Sequence, residues 1–160
     1  VAVPQMLQSL REEAEVVSGS RKHVVNLNVD ENLYLYGDAK ELDSAFSNLV
    51  INAINYTPDH GQITIKWYED ESDAVFKVTD SGIGISSHHI KRLTERFYRV
   101  DVARSRETGG SGLGLAIVKH ALNRHSAKLD IKSEVGRGSE FSCIFNKDSI
   151  THKSDIRQVV

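Results

Sequence analysis

The order in which apolar residues change their spacing along the chain limits the folds that it can adopt. Helical spacing covers residues 3–18, the segment after Asp38, and residues 113–125. The alternating spacing of strands covers residues 24–29, 33–36, 62–68, 74–79, 128–133 and 139–145. These helices and strands do not follow the regular repeat of a doubly wound parallel sheet. The sequence therefore predicts an α+β fold, a two-layer α/β sandwich with helices on one face of a mixed sheet.

The chain has 160 residues, which suffices for one domain with a substantial core. We expect this domain to cover residues 1–148. Residues 149–160 are rich in polar side chains, and we expect them to form a flexible tail. The first residue is Val1 rather than Met, so we expect the chain to be part of a longer protein.

The composition argues against several classes of function. A net charge of −2 is unfavourable for a large nucleic-acid interface. No apolar run is long enough to span a membrane. The single cysteine, Cys143, excludes an internal disulfide and a zinc site built from cysteines. Because Cys143 lies in an alternating apolar run, we expect its thiol to be buried.

A first glycine-rich segment directly follows a predicted strand. Gly82 and Gly84 come after Asp80 at alternate positions. Glycine lets the backbone approach a ligand closely, and the preceding carboxylate can accept a hydrogen bond from a ligand N–H group. A tight turn would use the same residues, so this pattern leaves both interpretations open. It is not the dinucleotide-binding fingerprint, because Ser87 stands where the third glycine would be.

A second glycine-rich segment, residues 109–114, opens the helix predicted over 113–125. Backbone N–H groups at a helix N-terminus are suited to binding phosphate. The glycine spacing is similar to that of a Walker A loop, but Leu115 takes the position of its lysine and excludes that motif. Four glycines within this segment exceed what a helix cap requires, so a ligand-binding role is favoured.

Arginines are concentrated between the two glycine-rich segments, around a short helix predicted near residues 88–95. They are Arg92, Arg96, Arg99, Arg104 and Arg106. A solvated basic loop would have this composition. The position between the two glycine-rich segments equally suits a mobile lid that brings arginine to phosphate.

Two asparagines lie on one face of the helix that follows Asp38. Asn48 and Asn52 are four residues apart, which places them on the same side of a helix. Amide oxygens can ligate Mg²⁺, which prefers oxygen donors and keeps phosphates and waters in its shell. A pair of structural amides with polar partners is the alternative.

The order of these motifs resembles the N, G1, F and G2 boxes of sensor histidine kinases. The boxes read NLVIN at 48–52, DSGIG at 80–84, ERFYR at 95–99 and GSGLG at 110–114. The likeness extends over residues 3–146. It implies the Bergerat ATP-binding fold, in which a mixed sheet is backed by helices and a flexible lid covers ATP, with Mg²⁺ as a second cofactor.

The resemblance also implies roles for individual residues. Asp80 would accept a hydrogen bond from the adenine amino group. Asn52 would ligate Mg²⁺, and Asn48 would support the phosphates. Arg99 would be the catalytic residue, in contact with the γ-phosphate. The other residues expected to line the nucleotide site are Tyr56, Gly82, Gly84, Ile85, Gly110, Gly112, Leu113, Gly114 and Ser139.

One position departs from the pattern of the family. Many relatives carry lysine where Asn55 stands, so this chain lacks that charge at the phosphate site. We therefore expect no direct role for Asn55. Arg104 or Arg106 would supply the missing positive charge.

The resemblance implies that this chain is the catalytic half of a kinase. The phosphoacceptor of the family is a histidine followed by an acidic residue, and none of the seven histidines here has that neighbour. The γ-phosphoryl group would pass to a histidine on a separate dimerisation domain, and a cognate response regulator would be a further partner. The chain would be the cytoplasmic domain of a bacterial inner-membrane sensor, with no nucleic-acid partner and no direct membrane contact.

Two alternatives remain at this point: a hydrolytic ATPase of the same fold, and a non-catalytic module that binds nucleotide. The hydrolytic relatives carry glutamate at the position of Asn48, where it activates water. An amide cannot act as that base. Asn48 therefore favours the kinase over the hydrolytic ATPase.

Overall fold

The computed structural model describes residues 1–90 and 114–158. The helices are α1 (Val3–Ser18), α2 (Ala39–Asn55), α3 (Ser87–Ile90), α4 (Gly114–Arg124) and α5 (Lys153–Gln158). The strands are β1 (Val24–Val29), β2 (Leu33–Leu35), β3 (Gln62–Asp70), β4 (Asp73–Asp80), β5 (Lys128–Glu134), β6 (Gly138–Phe145) and β7 (Ile150–His152). Among the described residues, no helix combines the length and apolar character needed to cross a membrane.

Five strands form one mixed sheet in the order β1-β3-β4-β6-β5. β1 and β3 are parallel, and the other neighbouring pairs are antiparallel. Side chains alternate along β3, where Ile63, Ile65 and Trp67 are buried while Gln62 and Lys66 are exposed. The helices α1, α2 and α4 cover the buried face through contacts with β1, β4 and β5. The predicted two-layer α+β fold is confirmed.

Aromatic packing fixes α2 over the centre of the sheet. The Phe46 ring of α2 stacks on Phe76 with centroids 4.1 Å apart and meets the edge of Phe145 at 6.1 Å. Burying a side chain of this size contributes about 1.5–3 kcal/mol. The Cys143 thiol is buried in the same core, as predicted, and burial raises its pKa. Because its apolar face is held on the sheet, α2 presents its polar face away from it.

The start of α2 is joined to the end of α4. The Asp38 carboxylate caps α2, accepting a hydrogen bond from the Glu41 N–H at 3.1 Å. The Asp38 N–H donates to Nε2 of His125 at 3.0 Å. The guanidinium of Arg124 lies 2.8 Å from the Glu41 carboxylate. These contacts fix the distance between the two helices at one end.

The C-terminal segment differs from the flexible tail predicted for residues 149–160. Residues Ile150–His152 form β7, which pairs with β2 in a separate two-stranded antiparallel sheet. The Lys153 and Ser154 N–H groups donate to Asn32, at 2.9 and 3.0 Å. The partner strand lies more than a hundred residues earlier in the chain, so the polar composition of the segment alone carried no sign of the pairing.

Candidate functional site

A buried carboxyl group stands where β4 ends. Asp80 is only 7% exposed, and its Oδ1 accepts hydrogen bonds from the N–H groups of Gly82 at 2.9 Å and Ser139 at 3.2 Å. Burial raises the pKa of Asp80, and the two backbone N–H groups act in the opposite direction. No hydrogen bond to Oδ2 is found among the described residues. Asp80 therefore offers a buried acceptor to a ligand.

The glycines after Asp80 lie where a side chain would not fit. A Cβ on Gly82 would be 2.4 Å from the carbonyl oxygen of Tyr56, and one on Gly84 would be 2.1 Å from that of Glu134. Gly84 also has a positive φ of 75°. The Ile83 N–H donates to the Tyr56 carbonyl at 3.2 Å. Gly82 packs closely against the end of α2, and Gly84 packs closely against the start of the β5–β6 turn. This packing accounts for both glycines, and their roles toward a ligand remain predictions.

Serine hydroxyls connect the remaining predicted residues of this region. The Ser133 hydroxyl donates to the Gly138 carbonyl at 3.0 Å and accepts from the Ile85 N–H at 2.7 Å. It lies 2.7 Å from the Ser139 hydroxyl, which must be the donor in that pair because the Ser133 proton is already used. The structure thus brings Ile85 and Ser139 together through Ser133, a residue that the sequence did not single out.

The turn at the end of α2 is held by a second residue that the sequence did not reveal. His23 is 8% exposed, and its Nε2 lies 2.8 Å from the Thr57 carbonyl oxygen. Its Nδ1 lies 2.7 Å from the Ser18 hydroxyl. Because a carbonyl only accepts, Nε2 carries the proton and Nδ1 accepts from Ser18. His23 therefore fixes the turn next to Tyr56, which is half-buried at the end of α2.

The two predicted asparagines lie on the face of α2 that is turned toward α4. A Cβ on Gly114, the first residue of α4, would lie 3.0 Å from Oδ1 of Asn48 and 3.8 Å from Nδ2 of Asn52. The Asn48 amide N–H donates to the Ser44 carbonyl at 2.7 Å, which leaves its oxygen toward Gly114. The Asn52 side chain has no hydrogen bond to a described residue. Both asparagines are half-buried.

This amide face has the donor chemistry of a magnesium site. Mg²⁺ binds through oxygen, often with one or two protein ligands while phosphates and waters complete its shell. The amide oxygens of Asn48 and Asn52 meet that requirement. Among residues 1–90 and 114–158, no cluster of three His, Cys, Asp or Glu side chains could hold a metal ion. The roles of Asn48 and Asn52 toward Mg²⁺ and phosphate remain predictions.

Several predicted residues lie outside the described ranges. They are Arg99, Gly110, Gly112 and Leu113, together with the alternative cations Arg104 and Arg106. Their roles stay predictions. The described part of the site consists of the buried Asp80 carboxyl group, near the C-terminal end of α2, and the amide face beside Gly114 further along the same helix.

A family model described as histidine kinase-, DNA gyrase B-, and HSP90-like ATPase matches residues 37–149. This range includes α2, the Asp80 segment and α4. The chain belongs to this ATPase family. The family membership implies an ATP site, and it confirms the resemblance drawn from the four sequence motifs.

Two relatives are similar to this chain over most of its length. The phosphate regulon sensor protein PhoR of Pseudomonas aeruginosa is 53% identical over 145 residues, which are 91% of the chain and 33% of the relative. The protein of the same name from Haemophilus influenzae is 43% identical over 150 residues, 94% of the chain and 35% of the relative. The chain thus spans only 33% and 35% of the length of these relatives.

A solved structure of the mycobacterial sensor histidine kinase MprB has the same fold. The TM-score between that structure and this chain is 0.79, and the two sequences are 25% identical. The comparison covers 91% of this chain and 95% of the MprB chain. The predicted Bergerat architecture is therefore confirmed by an experimental relative.

Proposed function

We propose that this chain is the ATP-binding catalytic domain of a sensor histidine kinase. It would transfer the γ-phosphoryl group of ATP to a histidine on a separate dimerisation domain. The observation that carries the proposal is the pairing of two sites along α2 within the matched ATPase segment. A buried acceptor, Asp80, lies at one end of the helix, and the amides of Asn48 and Asn52 face Gly114 further along it.

The buried Asp80 carboxyl group suits adenine. Adenine presents an amino donor where guanine presents a carbonyl acceptor. Oδ2 of Asp80 can accept a hydrogen bond from the amino group of adenine, whereas it repels the carbonyl oxygen of guanine. In a buried site this discrimination is strengthened, because an unpaired acceptor there costs more than in water. We therefore assign ATP rather than GTP as the nucleotide.

The amide face and the start of α4 suit the phosphate chain. Asn52 would hold Mg²⁺ together with phosphate oxygens, and Asn48 would support the phosphates next to Gly114. The bound Mg²⁺ would neutralise charge on the phosphoryl oxygens. Backbone N–H groups of Gly110, Gly112 and Leu113 would approach the phosphates, and Arg99 would contact the γ-phosphate.

The reaction needs a nucleophile from another domain. A neutral imidazole nitrogen would attack the γ-phosphorus while the bond to the β–γ bridging oxygen breaks and ADP leaves. Asn48 stands where a hydrolytic ATPase needs a carboxylate, and its amide cannot accept a proton from water. Transfer to histidine is therefore favoured over hydrolysis.

The wider setting is proposed from the relatives. Because two similar proteins are phosphate regulon sensors, we assign the chain to phosphate-responsive two-component signalling, with a response regulator as the final acceptor. The sequence from 88 to 120 resembles the same kinases. In this setting the domain is the cytoplasmic part of a membrane-anchored bacterial sensor.

The test uses γ-labelled ATP and follows protein-bound label and free phosphate. The chain alone should bind ATP without labelling itself. Adding a helical acceptor domain that bears the phosphoacceptor histidine should produce acid-labile label on that domain. Acid-labile label on this chain, or rapid release of phosphate without the acceptor, would contradict the proposal.

A further inference from the structure

Arg21 follows α1 and extends its guanidinium group onto the end of α2. Nη1 donates to Oδ1 of Asn55 at 3.3 Å. Nη2 donates to the Val17 carbonyl at 2.8 Å, and Nε donates to the Ser18 carbonyl at 3.3 Å. Three hydrogen bonds to two different helices hold the half-buried guanidinium in one position.

Asn55 extends the amide face of α2 by one turn. Asn48, Asn52 and Asn55 are spaced by four and three residues, so their side chains form one stripe along the helix. Because Arg21 is hydrogen-bonded to Asn55, its positive charge lies at the C-terminal end of this stripe. The stripe is the surface along which the proposed function places the phosphate chain.

The positive charge of Arg21 has no carboxylate partner among the described residues. Other arginines of α1, α4 and the β5–β6 turn form ion pairs, namely Arg11 with Glu15, Arg124 with Glu41 and Arg137 with Glu134. The hydrogen-bond partners of Arg21 are neutral oxygens instead. A guanidinium carries five N–H donors, so one donor on each terminal nitrogen is left over. Two such donors suit an anionic oxygen pair of a phosphate.

The order of groups along α2 indicates which phosphate would be met. The Asp80 loop packs against the carbonyl of Tyr56, at the C-terminal end of the helix, while Gly114 packs against Asn48. A nucleotide with its base at Asp80 and its phosphates toward Gly114 passes Asn55 before Asn52. The phosphate nearest the sugar therefore lies closest to the guanidinium.

We propose that Arg21 is a further residue of the nucleotide site and that its guanidinium binds the α-phosphate. This inference rests on the proposed function. The positive charge near the α-phosphate would then come from Arg21, whose guanidinium is held by α1 and α2. The sequence had led us to expect that charge from Arg104 or Arg106.

The test compares ligands that share the base and differ in phosphates. Affinities for adenosine, AMP, ADP and ATP are measured by calorimetry for wild type, Arg21→Ala, Arg21→Gln and Arg21→Lys. Loss of a charge-assisted bond predicts roughly ten-fold weaker binding of AMP, ADP and ATP to the alanine and glutamine variants. Adenosine affinity should stay unchanged. The affinities of Arg21→Lys should lie between those of wild type and Arg21→Ala, because lysine keeps the charge and loses the bidentate geometry.

Arg11→Ala is the matched control, since it removes the same charge from α1, the helix that precedes Arg21, at an exposed position paired with Glu15. It should leave all four affinities unchanged. Equal losses for adenosine and AMP would mean that Arg21 only caps α1, and unchanged AMP binding would also overturn the inference. If Arg21→Ala does not fold, the glutamine and lysine variants decide the same question. Wild type that binds none of the four ligands would overturn the proposed function itself, before any variant is compared.

Discussion

Stability and recognition conflict at the carboxyl group of Asp80. Its Oδ1 is fully used by two backbone N–H groups, while Oδ2 has no partner among the described residues. A buried acceptor without a partner costs about 1–3 kcal/mol. A ligand amino group that pairs with Oδ2 removes this cost, so the same atom that weakens the folded chain favours binding.

Asp80→Asn should separate these two effects. The amide oxygen can still accept from Gly82 and Ser139, whereas the amide N–H₂ would face the ligand amino group and repel it. We expect ATP and ADP to bind roughly ten-fold or more weakly, since a hydrogen bond to a charged acceptor contributes about 1.5–3 kcal/mol. Calorimetry checks this, with exposed Asp130→Asn as the control. Wild-type affinity in Asp80→Asn would remove Asp80 from the base pocket.

The same variant should also differ from wild type in its stability at different pH values. Burial raises the pKa of Asp80 above its ordinary value of 3.8. The folded chain therefore holds this proton more tightly than the unfolded chain, and stability falls as pH rises from 3.8 through the raised pKa. The neutral amide avoids this loss. At neutral pH, Asp80→Asn should melt at or above the wild-type temperature, and the difference should shrink as pH is lowered toward 3.8.

Asn52 should act through the metal ion. Its side chain has no hydrogen bond to a described residue, so Asn52→Ala leaves no protein group unpaired there and should hardly change stability. Binding of Mg²⁺-ATP should weaken more than binding of ATP in the presence of a chelator. Asn28→Ala, on an exposed part of β1, is the control. An equal loss with and without Mg²⁺ would identify Asn52 as a structural amide.

Individual site residues were predictable from the sequence where the deciding geometry is local. Asn48 and Asn52 share a face because of helical spacing alone, and Asp80 could be located because it follows an alternating strand. His23 and Ser133 were missed for the opposite reason. The contacts that tie them to the site, with Thr57 and Ile85, span 34 and 48 residues of sequence, and no local pattern predicts such contacts.

At the scale of elements, the contact between α2 and α4 depends on a close fit at Gly37. A Cβ on Gly37 would lie 2.6 Å from the His125 ring. That ring is held on both sides, since Nδ1 donates to the Ala121 carbonyl at 2.7 Å and Nε2 accepts from the Asp38 N–H. The ring therefore cannot move away without breaking a hydrogen bond at one of the two helices.

Gly37→Ala should therefore destabilise the chain by about 1–3 kcal/mol, the range for overpacking a filled site. The φ of Gly37 is not in the left-handed region, so the cost should come from the ring alone. In a His125→Ala background, the same substitution should cost much less. Denaturant unfolding of the two single variants and the double variant measures this coupling. Additive losses would show that the contact with His125 is not the cause.

Strand β7 marks the limit of prediction at this scale. The hairpins β3–β4 and β5–β6 could be predicted because their strands are neighbours in the chain and alternate clearly. β7 has three residues and pairs with β2, which is equally short. The alternation at residues 33–36 predicted β2, but β7 was not predicted and nothing local links the two segments, so only the folded structure reveals that they pair.

At the scale of the whole molecule, α2 is the element on which both halves of the site depend. Its apolar face is fixed by Phe46 in the core, its C-terminal end supports the Asp80 loop, and its polar face meets α4. In the proposed function, this arrangement would bind the base at one end of α2 and the phosphates along its polar face. It provides no histidine with the acceptor pattern, and the chain spans only about a third of its curated relatives. Binding and transfer should therefore be separable in this molecule.

Arg99 offers the means to separate them. Its charge should matter most where negative charge develops on the γ-phosphoryl oxygens, and ADP lacks that group. Arg99→Ala should thus reduce the rate of transfer to an added acceptor domain far more than it weakens ADP binding. Removal of one such donor typically lowers a rate by about 10²–10³-fold. The measurement pairs single-turnover transfer from γ-labelled ATP with ADP calorimetry, and Arg11→Ala serves as the control. If ADP affinity and transfer fall by the same factor, Arg99 contributes to nucleotide binding as a whole. If neither changes, the positive charge at the γ-phosphate comes from another residue.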